Sequence, residues 1–293
     1  MKSKNTLLFF ILVIITLISA RKVAVAQISA FDEERMGCLY FGVGSAVVNT
    51  YSKSTIHIDQ SQIGNNYQLS SLAASTTGSG SSFSPLQLYY RLGYFFNYNQ
   101  TWGIELSYDG APYYVNDNQK TTMSGIYGGA KVNNEVMFSA ATGSKYSLNG
   151  ADLILFNAVK RFGLFWGKTH KVRVDAFLKA GIGPAMPKAT VNLYGDPNTP
   201  KAQFAGFNTG VEGAIRATLF RYLYLDLAAK YDYASLSGMT IMDGTAKQSF
   251  TKTSVVATVG FTIPTTKNHP LFQKGVKTHR VITLKPMYPS SAQ

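Results

Sequence analysis

The stretch from Leu86 to Asp109 sets the narrowest limits on what this chain can fold into. Its first arm reads Leu86-Gln87-Leu88-Tyr89-Tyr90-Arg91-Leu92-Gly93-Tyr94-Phe95-Phe96, and its second Trp102-Gly103-Ile104-Glu105-Leu106-Ser107-Tyr108-Asp109. Successive side chains of a strand point to opposite faces. One face therefore collects Leu86, Leu88, Tyr90, Leu92, Tyr94, Trp102, Ile104, Leu106 and Tyr108. The other collects Gln87, Tyr89, Arg91, Gly93, Gly103, Glu105, Ser107 and Asp109. A soluble sheet alternates too. Here, however, the apolar face ends in aromatics at both levels, and the opposite face mixes charge with glycine. That combination predicts an all-β, antiparallel transmembrane barrel, apolar outward and polar inward, girdled by aromatics at the interfaces.

The N-terminus reads as an export signal over residues 1–26. Lys2 and Lys4 precede an uncharged apolar run from Leu7 to Ile18, and Ala24-Val25-Ala26 supplies a cleavage site before Gln27. Arg21 and Lys22 lie between the run and that site. The run is shorter than the roughly 20 apolar residues a spanning helix needs. No later stretch is long and apolar enough either, so a membrane-embedded mature chain must cross as strands that close on themselves. The chain carries a formal charge of +13. The acid-free signal holds four of those charges. The acid-free tail, 264–293, holds five more, in Lys267, Lys274, Lys277, Arg280 and Lys285. Export argues against a nucleic-acid partner for this excess, which suits anionic lipid or another envelope polymer instead. Cys38 is the single cysteine, so no intrachain disulfide forms. Arg35-Met36-Gly37 before it is not an apolar lipobox, and an inert thiol in the first strand is expected.

After a polar lead-in, 27–37, the pattern predicts eight strands within 38–263. The first runs from Cys38 to Thr50, with Leu39, Phe41, Val43 and Val47 outward and Tyr40, Gly42, Gly44 and Ala46 inward. The opening hairpin supplies the second and third, joined through Asn97-Tyr98-Asn99-Gln100. The fourth covers Asp152 to Phe162. Its phase is blurred because Leu153-Ile154-Leu155-Phe156 is apolar on both faces; Asn157 and Arg161 are placed inward. Gly163 to Thr169 reads as a turn holding Trp166. The fifth runs from Val172 to Gly183, with Arg173, Asp175, Phe177 and Lys179 inward. The sixth, Phe204 to Leu219, turns Asn208, Gly210, Glu212, Ala214 and Arg216 inward. The seventh, from Leu223, points Tyr224, Asp226, Ala228, Lys230 and Asp232 inward, and the eighth, Phe250 to Ile263, points Val255, Ala257, Val259, Phe261 and Ile263 outward.

Four long polar connections, 51–83, 110–148, 184–203 and 234–249, alternate with short turns. The second contains Val132 to Phe138, a semi-alternating piece able to prolong strands past the bilayer. Pro184, Pro187, Pro197 and Pro200 mark the third as loop. Gly78-Ser79-Gly80 and Gly128-Gly129 read as flexible loop tips. Long outer loops, short periplasmic turns and an even strand count form the up-and-down pattern of bacterial outer-membrane barrels, with both ends periplasmic.

From about Gly37 to Ile263 the chain resembles the small eight-stranded outer-membrane barrels of the OmpA, OmpX, OmpW and PagL kind. The likeness is one of architecture, without a family motif. Two features depart from it. Phe261 ends the last strand far from the chain terminus, and the 30-residue basic tail is too short for a peptidoglycan-binding domain.

The lumen of such a barrel holds little beyond side chains. The expected inward charges are Arg91, Arg173, Lys179, Arg216 and Lys230 against Glu105, Asp109, Asp175, Glu212, Asp226 and Asp232. Near balance predicts a paired, structural plug, because unpaired charge in a water-poor interior is costly. Arg91 and Glu105 are expected to pair across the hairpin. The resemblance also raises a lipid A-modifying hydrolase, which would need a His beside a Ser at the outer rim. Of four histidines, His170, His269 and His279 fall on the periplasmic side, and His57 in the first loop is surrounded by Ser and Thr, none at a telling spacing. Neither metal ligands at working spacing nor a phosphate-cradling loop is present, so no cofactor is expected.

The reading is a non-enzymatic outer-membrane protein acting through its outer loops and basic tail. Outer-membrane lipid surrounds it, and a periplasmic or surface protein is the expected partner. Tyr67, Tyr113, Tyr114, Tyr127, Tyr146 and Tyr194 would offer loop contacts. Leu271, Phe272, Val281, Ile282 and Leu284 mark the tail as a docking segment. A conduit or binder for a small apolar molecule, which the OmpW likeness allows, is the alternative.

Overall fold

The computed structural model describes residues 37–77, 87–96, 100–142, 144–167, 172–193, 196–197, 202–220 and 222–265. The expected signal, the lead-in before Gly37, Leu86, Gly78 to Gly80, Asn97 to Asn99, Tyr194, Pro200, Arg221, the three histidines other than His57 and the tail beyond Thr265 lie outside the described residues. The strands, in order, are β1 (Cys38–Tyr51), β2 (Ser54–Gln60), β3 (Asn65–Leu72), β4 (Ala74–Ser75), β5 (Gln87–Phe95), β6 (Trp102–Val115) and β7 (Gln119–Tyr127). They continue with β8 (Ala130–Phe138), β9 (Lys145–Trp166), β10 (Val172–Leu193), β11 (Asp196–Pro197), β12 (Gly206–Leu219), β13 (Leu223–Ile241) and β14 (Gly244–Pro264).

Eight of these form the ring, in the order β1-β5-β6-β9-β10-β12-β13-β14, and β14 pairs back onto β1. Every pairing is antiparallel. The stagger follows from walking the partners once around. Thr262 leads to Tyr40, Gly93, Glu105, Asn157, Gly181, Gly210, Asp232 and finally Lys252, ten residues back along β14. A shear of this kind accompanies a strand tilt of roughly 35–45° and a narrow interior.

The outward belt is apolar. Leu88, Ile104 and Leu225 are 56%, 56% and 50% exposed, with Phe41, Val211, Leu227, Val259 and Phe261 around them. Along β14 the outward row runs Val255, Ala257, Val259, Phe261, Ile263. Nine tilted residues give about 23 Å of height, close to the apolar band of an outer-membrane barrel. Tyr90 and Tyr108 pair at the outer border, ring centroids 5.9 Å apart, and Trp102 lies beneath Lys160 at the other border, 4.3 Å from ring to ammonium. Among the described residues no helix is long and apolar enough to cross a membrane.

Inward glycines make room for rings. A Cβ on Gly93 would sit 2.2 Å from the Tyr40 ring, and one on Gly42 2.2 Å from the Tyr224 hydroxyl. Gly93→Val should therefore lower the temperature at which the folded gel band is lost, by an overpacking cost of about 1–3 kcal/mol.

The long connections differ most from the sequence reading. The first contains β2, β3 and β4; the second holds the end of β6 together with β7, β8 and the start of β9. Pro184 and Pro187 lie within β10, β13 and β14 meet at Met242-Asp243, and β9 carries through Gly163 to Trp166, where a turn was expected. β2 joins the outer end of β14, β3 joins β2, β7 joins β3, and β8 joins β7. The wall thus continues well past the membrane: β13 runs eight residues beyond Tyr233, about 26 Å of strand. These segments read as loops because most of their outward residues are polar or charged, whereas only one face has to be apolar. Gly128 and Gly129, expected to be a flexible tip, take φ of 60° and 78° in a two-residue hairpin turn, the left-handed pair that such a turn favours.

Candidate functional site: the filled lumen and its outer cap

All eleven charged residues expected inward lie in the lumen, and the structure joins them in a ladder. At the periplasmic end Asp175 accepts from Arg161 Nη2 (3.0 Å) and Arg173 Nε (2.7 Å). Above it, Asp226 Oδ2 takes Arg91 Nη1 (2.6 Å) and Arg216 Nη2 (2.9 Å). The rings of Tyr40, Phe177 and Tyr224 surround the Arg216 guanidinium at 4.6, 4.6 and 3.9 Å. Glu212 bridges Arg91 (3.2 Å) to Lys179 (2.8 Å), and Lys179 reaches Glu105 at 2.9 Å. Near the top, Lys230 and Lys252 share Asp109 and Asp232. Rings fill the gaps: Tyr40 donates to Glu105 (2.9 Å) and Tyr89 to Glu212 (3.1 Å).

Two details correct the sequence reading. Arg91 does not pair with Glu105. In the hairpin register Arg91 faces Ser107 and Glu105 faces Gly93. Arg91 instead reaches across the interior to β12 and β13, while Glu105 is taken by Lys179. Second, Lys252 and Arg161 add to the inward charges counted from the sequence. Lys252 shares the parity of Ser254, Val256 and Thr258, which was the available signal. With these two, seven cations face six carboxylates among the described residues.

Above the ladder the lumen turns apolar. Ile56, Ile58, Tyr67, Leu69, Met123, Phe138, Tyr146, Leu148, Leu153, Met239 and Phe250 belong to one buried cluster at the outer end. Tyr113 stacks on Phe250 with centroids 4.7 Å apart. Its hydroxyl shares a hydrogen bond with Ser54 Oγ (2.7 Å), and Tyr146 donates to Gln248 (2.9 Å). Burial pushes the Tyr113 phenol up to about 12. Three of the tyrosines expected as surface contacts, Tyr67, Tyr113 and Tyr146, are thus core residues. Leu148→Ala should loosen this cap by about 2–5 kcal/mol. The expected readout is protease cleavage within 119–138 on intact cells, with the heat shift of the membrane barrel retained.

The outward side of the extension is largely polar, with Ile126 and Met137 also exposed, and its strands and turns are joined by hydrogen bonds. His57 stands between Lys247 and Gln68, Gln68 donates to Ser124 Oγ (3.1 Å), and Ser124 stands opposite Asn133. Three hairpin turns are tied together: Gln60 Nε2 donates to Met242 O (2.6 Å), Gly129 N to Gly64 O (3.1 Å) and Gly128 N to Asn65 Oδ1 (2.8 Å). Asp59 is held below the usual carboxylate range by the Ser61 hydroxyl, and Asp117 by the Ala140 N–H. Among the described residues no group of three or more His, Cys, Asp or Glu is placed to hold a metal. Cys38 is buried.

A closed antiparallel ring of even strand number, a lipid-height apolar belt and a polar filling define a multi-pass outer-membrane β-barrel surrounded by membrane lipid. No family model matches the sequence, and no curated protein does. Among solved structures the chain is similar to Neisserial surface protein A, at 11% identity over 76% of this chain and 96% of that one, TM-score 0.34. It is similar to the outer membrane protein OprG from Pseudomonas aeruginosa, at 11% over 78% and 97%, TM-score 0.36, and to Ail, the attachment invasion locus protein of Yersinia pestis, at 12% over 78% and 99%, TM-score 0.28. These likenesses are loose, and the barrel is defined by its own closure.

Proposed function

We propose that the protein is a non-enzymatic envelope barrel that serves as an anchored platform, holding an extramembrane sheet in place for a protein partner. The observation that carries this reading is the filling of the lumen, ionic through the membrane and apolar above it. A barrel so filled has its exposed features outside, among them the polar face of β2, β3, β7 and β8; the basic tail, 264–293, is the second contact that this reading proposes. The experiment is gentle purification from native outer membrane with identification of what accompanies the full chain, a chain lacking 265–293, and one with 119–138 replaced by a short turn. Loss of a partner from one truncated chain is expected. Recovery unchanged in both rejects the reading.

A second reading, a binder for a small apolar molecule, is favoured by the apolar lining of the outer mouth. It requires the Tyr113–Phe250 stack to part. A ligand co-purifying with the wild type and lost from Leu148→Ala would favour this reading over the platform.

A further inference from the structure

We propose that the open edge of β8 pairs with β8 of a second copy, joining two barrels across facing membranes; this names one partner for the platform described above and rests on that reading. Among the described residues β8 pairs with β7 alone, from Ala130 to Phe138 and without a bulge. The extension sheet therefore stops at a strand of nine residues that holds no proline. An edge of this kind presents unpaired N–H and C=O groups to any chain that can lie beside it as a strand.

The two-residue turn fixes which residues face that edge. Tyr127 and Ala130 flank Gly128-Gly129, and in such a hairpin the flanking residues bond each other. Alternation then turns the N–H and C=O groups of Lys131, Asn133, Glu135 and Met137 away from β7, toward the open side. Their side chains are exposed as well, whereas Val132 and Val136 pack on the outer apolar cluster and Phe138 lies within it. Lys120 meets Glu135 at 3.5 Å with side chains 68% and 59% exposed, and so exposed a pair holds its members weakly.

The residues of the edge select their own copy. Laid antiparallel about a two-fold axis at Asn133, β8 sets Lys131 against the partner's Glu135 and Glu135 against the partner's Lys131. A two-fold at Val132 or Asn134 leaves both charges against uncharged residues, and one at Lys131 or Glu135 sets like charges together. Charges that guard an edge against other strands thus admit one register here. In that register the edge-facing residues of each copy meet, so their backbone groups bond in pairs. β8 runs from the outer tip toward the membrane, parallel to β14. Two such strands laid antiparallel point their barrels in opposite directions, toward two membranes. A contact of one strand is small, and many copies on facing membranes multiply it.

The test uses the full chain reconstituted in lipid vesicles, with clustering read by light scattering and by co-sedimentation of vesicles in two colours. Wild-type vesicles are expected to cluster. Lys131→Glu and Glu135→Lys, each alone, should cut clustering several-fold, because each sets like charges against each other, with the heat shift of the barrel retained. Mixing Lys131→Glu vesicles with Glu135→Lys vesicles should restore it, since the two edges are then complementary at both positions. Dispersed wild-type vesicles, clustering of both single variants equal to wild type, or no recovery on mixing overturns the proposal. A different protein recovered through 119–138 while the vesicles stay dispersed overturns the pairing and leaves the platform standing.

Discussion

Arg91→Met is expected to cost about 3–5 kcal/mol and to lose the folded band at a markedly lower temperature. Arg91 is wholly buried and binds Asp226 and Glu212 at once, 2.6 and 3.2 Å away. Removing the guanidinium leaves two carboxylates in a narrow interior, with Arg216 and Lys179 their remaining counter-charges. The penalty comes from stranded charge rather than lost volume, since Met conserves much of the side chain. Asp226→Asn added to Arg91→Met should therefore recover part of the loss. A double variant no better than the single one would refute the ion-pair account. Glu105→Gln acts elsewhere: it weakens the bond to Lys179 and should leave Arg91 unaffected.

Ile104→Arg, or Leu225→Arg, is expected to cost about 2–4 kcal/mol, the price of a cation at the midplane of the lipid face. Both side chains point outward from the belt. Folding yield into bilayers should fall steeply for either. Thr122→Arg, on the exposed polar face of β7, should be near neutral. Equal tolerance at all three positions would mean that the belt does not meet lipid.

The membrane-level half of the fold was legible because two demands act on every strand there. Lipid requires an apolar residue outward, and a narrow lumen requires a small or paired residue inward, so Leu88 to Tyr94 and Leu223 to Tyr233 can be read by parity alone. Beyond the membrane the first demand lapses. Ser54 to Gln60 buries Ile56 and Ile58 while showing Thr55 and His57 to water, and such a strand looks like polar loop. The blurred phase of Leu153 to Phe156 has the same origin. These residues sit where the lumen turns apolar, so lipid outside and cap inside both ask for hydrophobic side chains. Leu153 and Leu155 take the inside. Pairing was less legible than placement. The partner of an inward charge is set by the ten-residue stagger, which hairpin spacing does not reveal, so the hairpin by itself points Arg91 to Glu105.

The most direct test of the central claim uses two neighbouring alanines. With Cys38 replaced by Ser, nitroxide labels at Ala228, inward, and Ala229, outward, are compared in bilayers for collision with dissolved oxygen and with a water-soluble nickel chelate. The account predicts strong oxygen contact at 229 and little contact with either reagent at 228. High nickel contact at 229, or the oxygen preference appearing at 228, contradicts a filled cylinder with lipid around its outside.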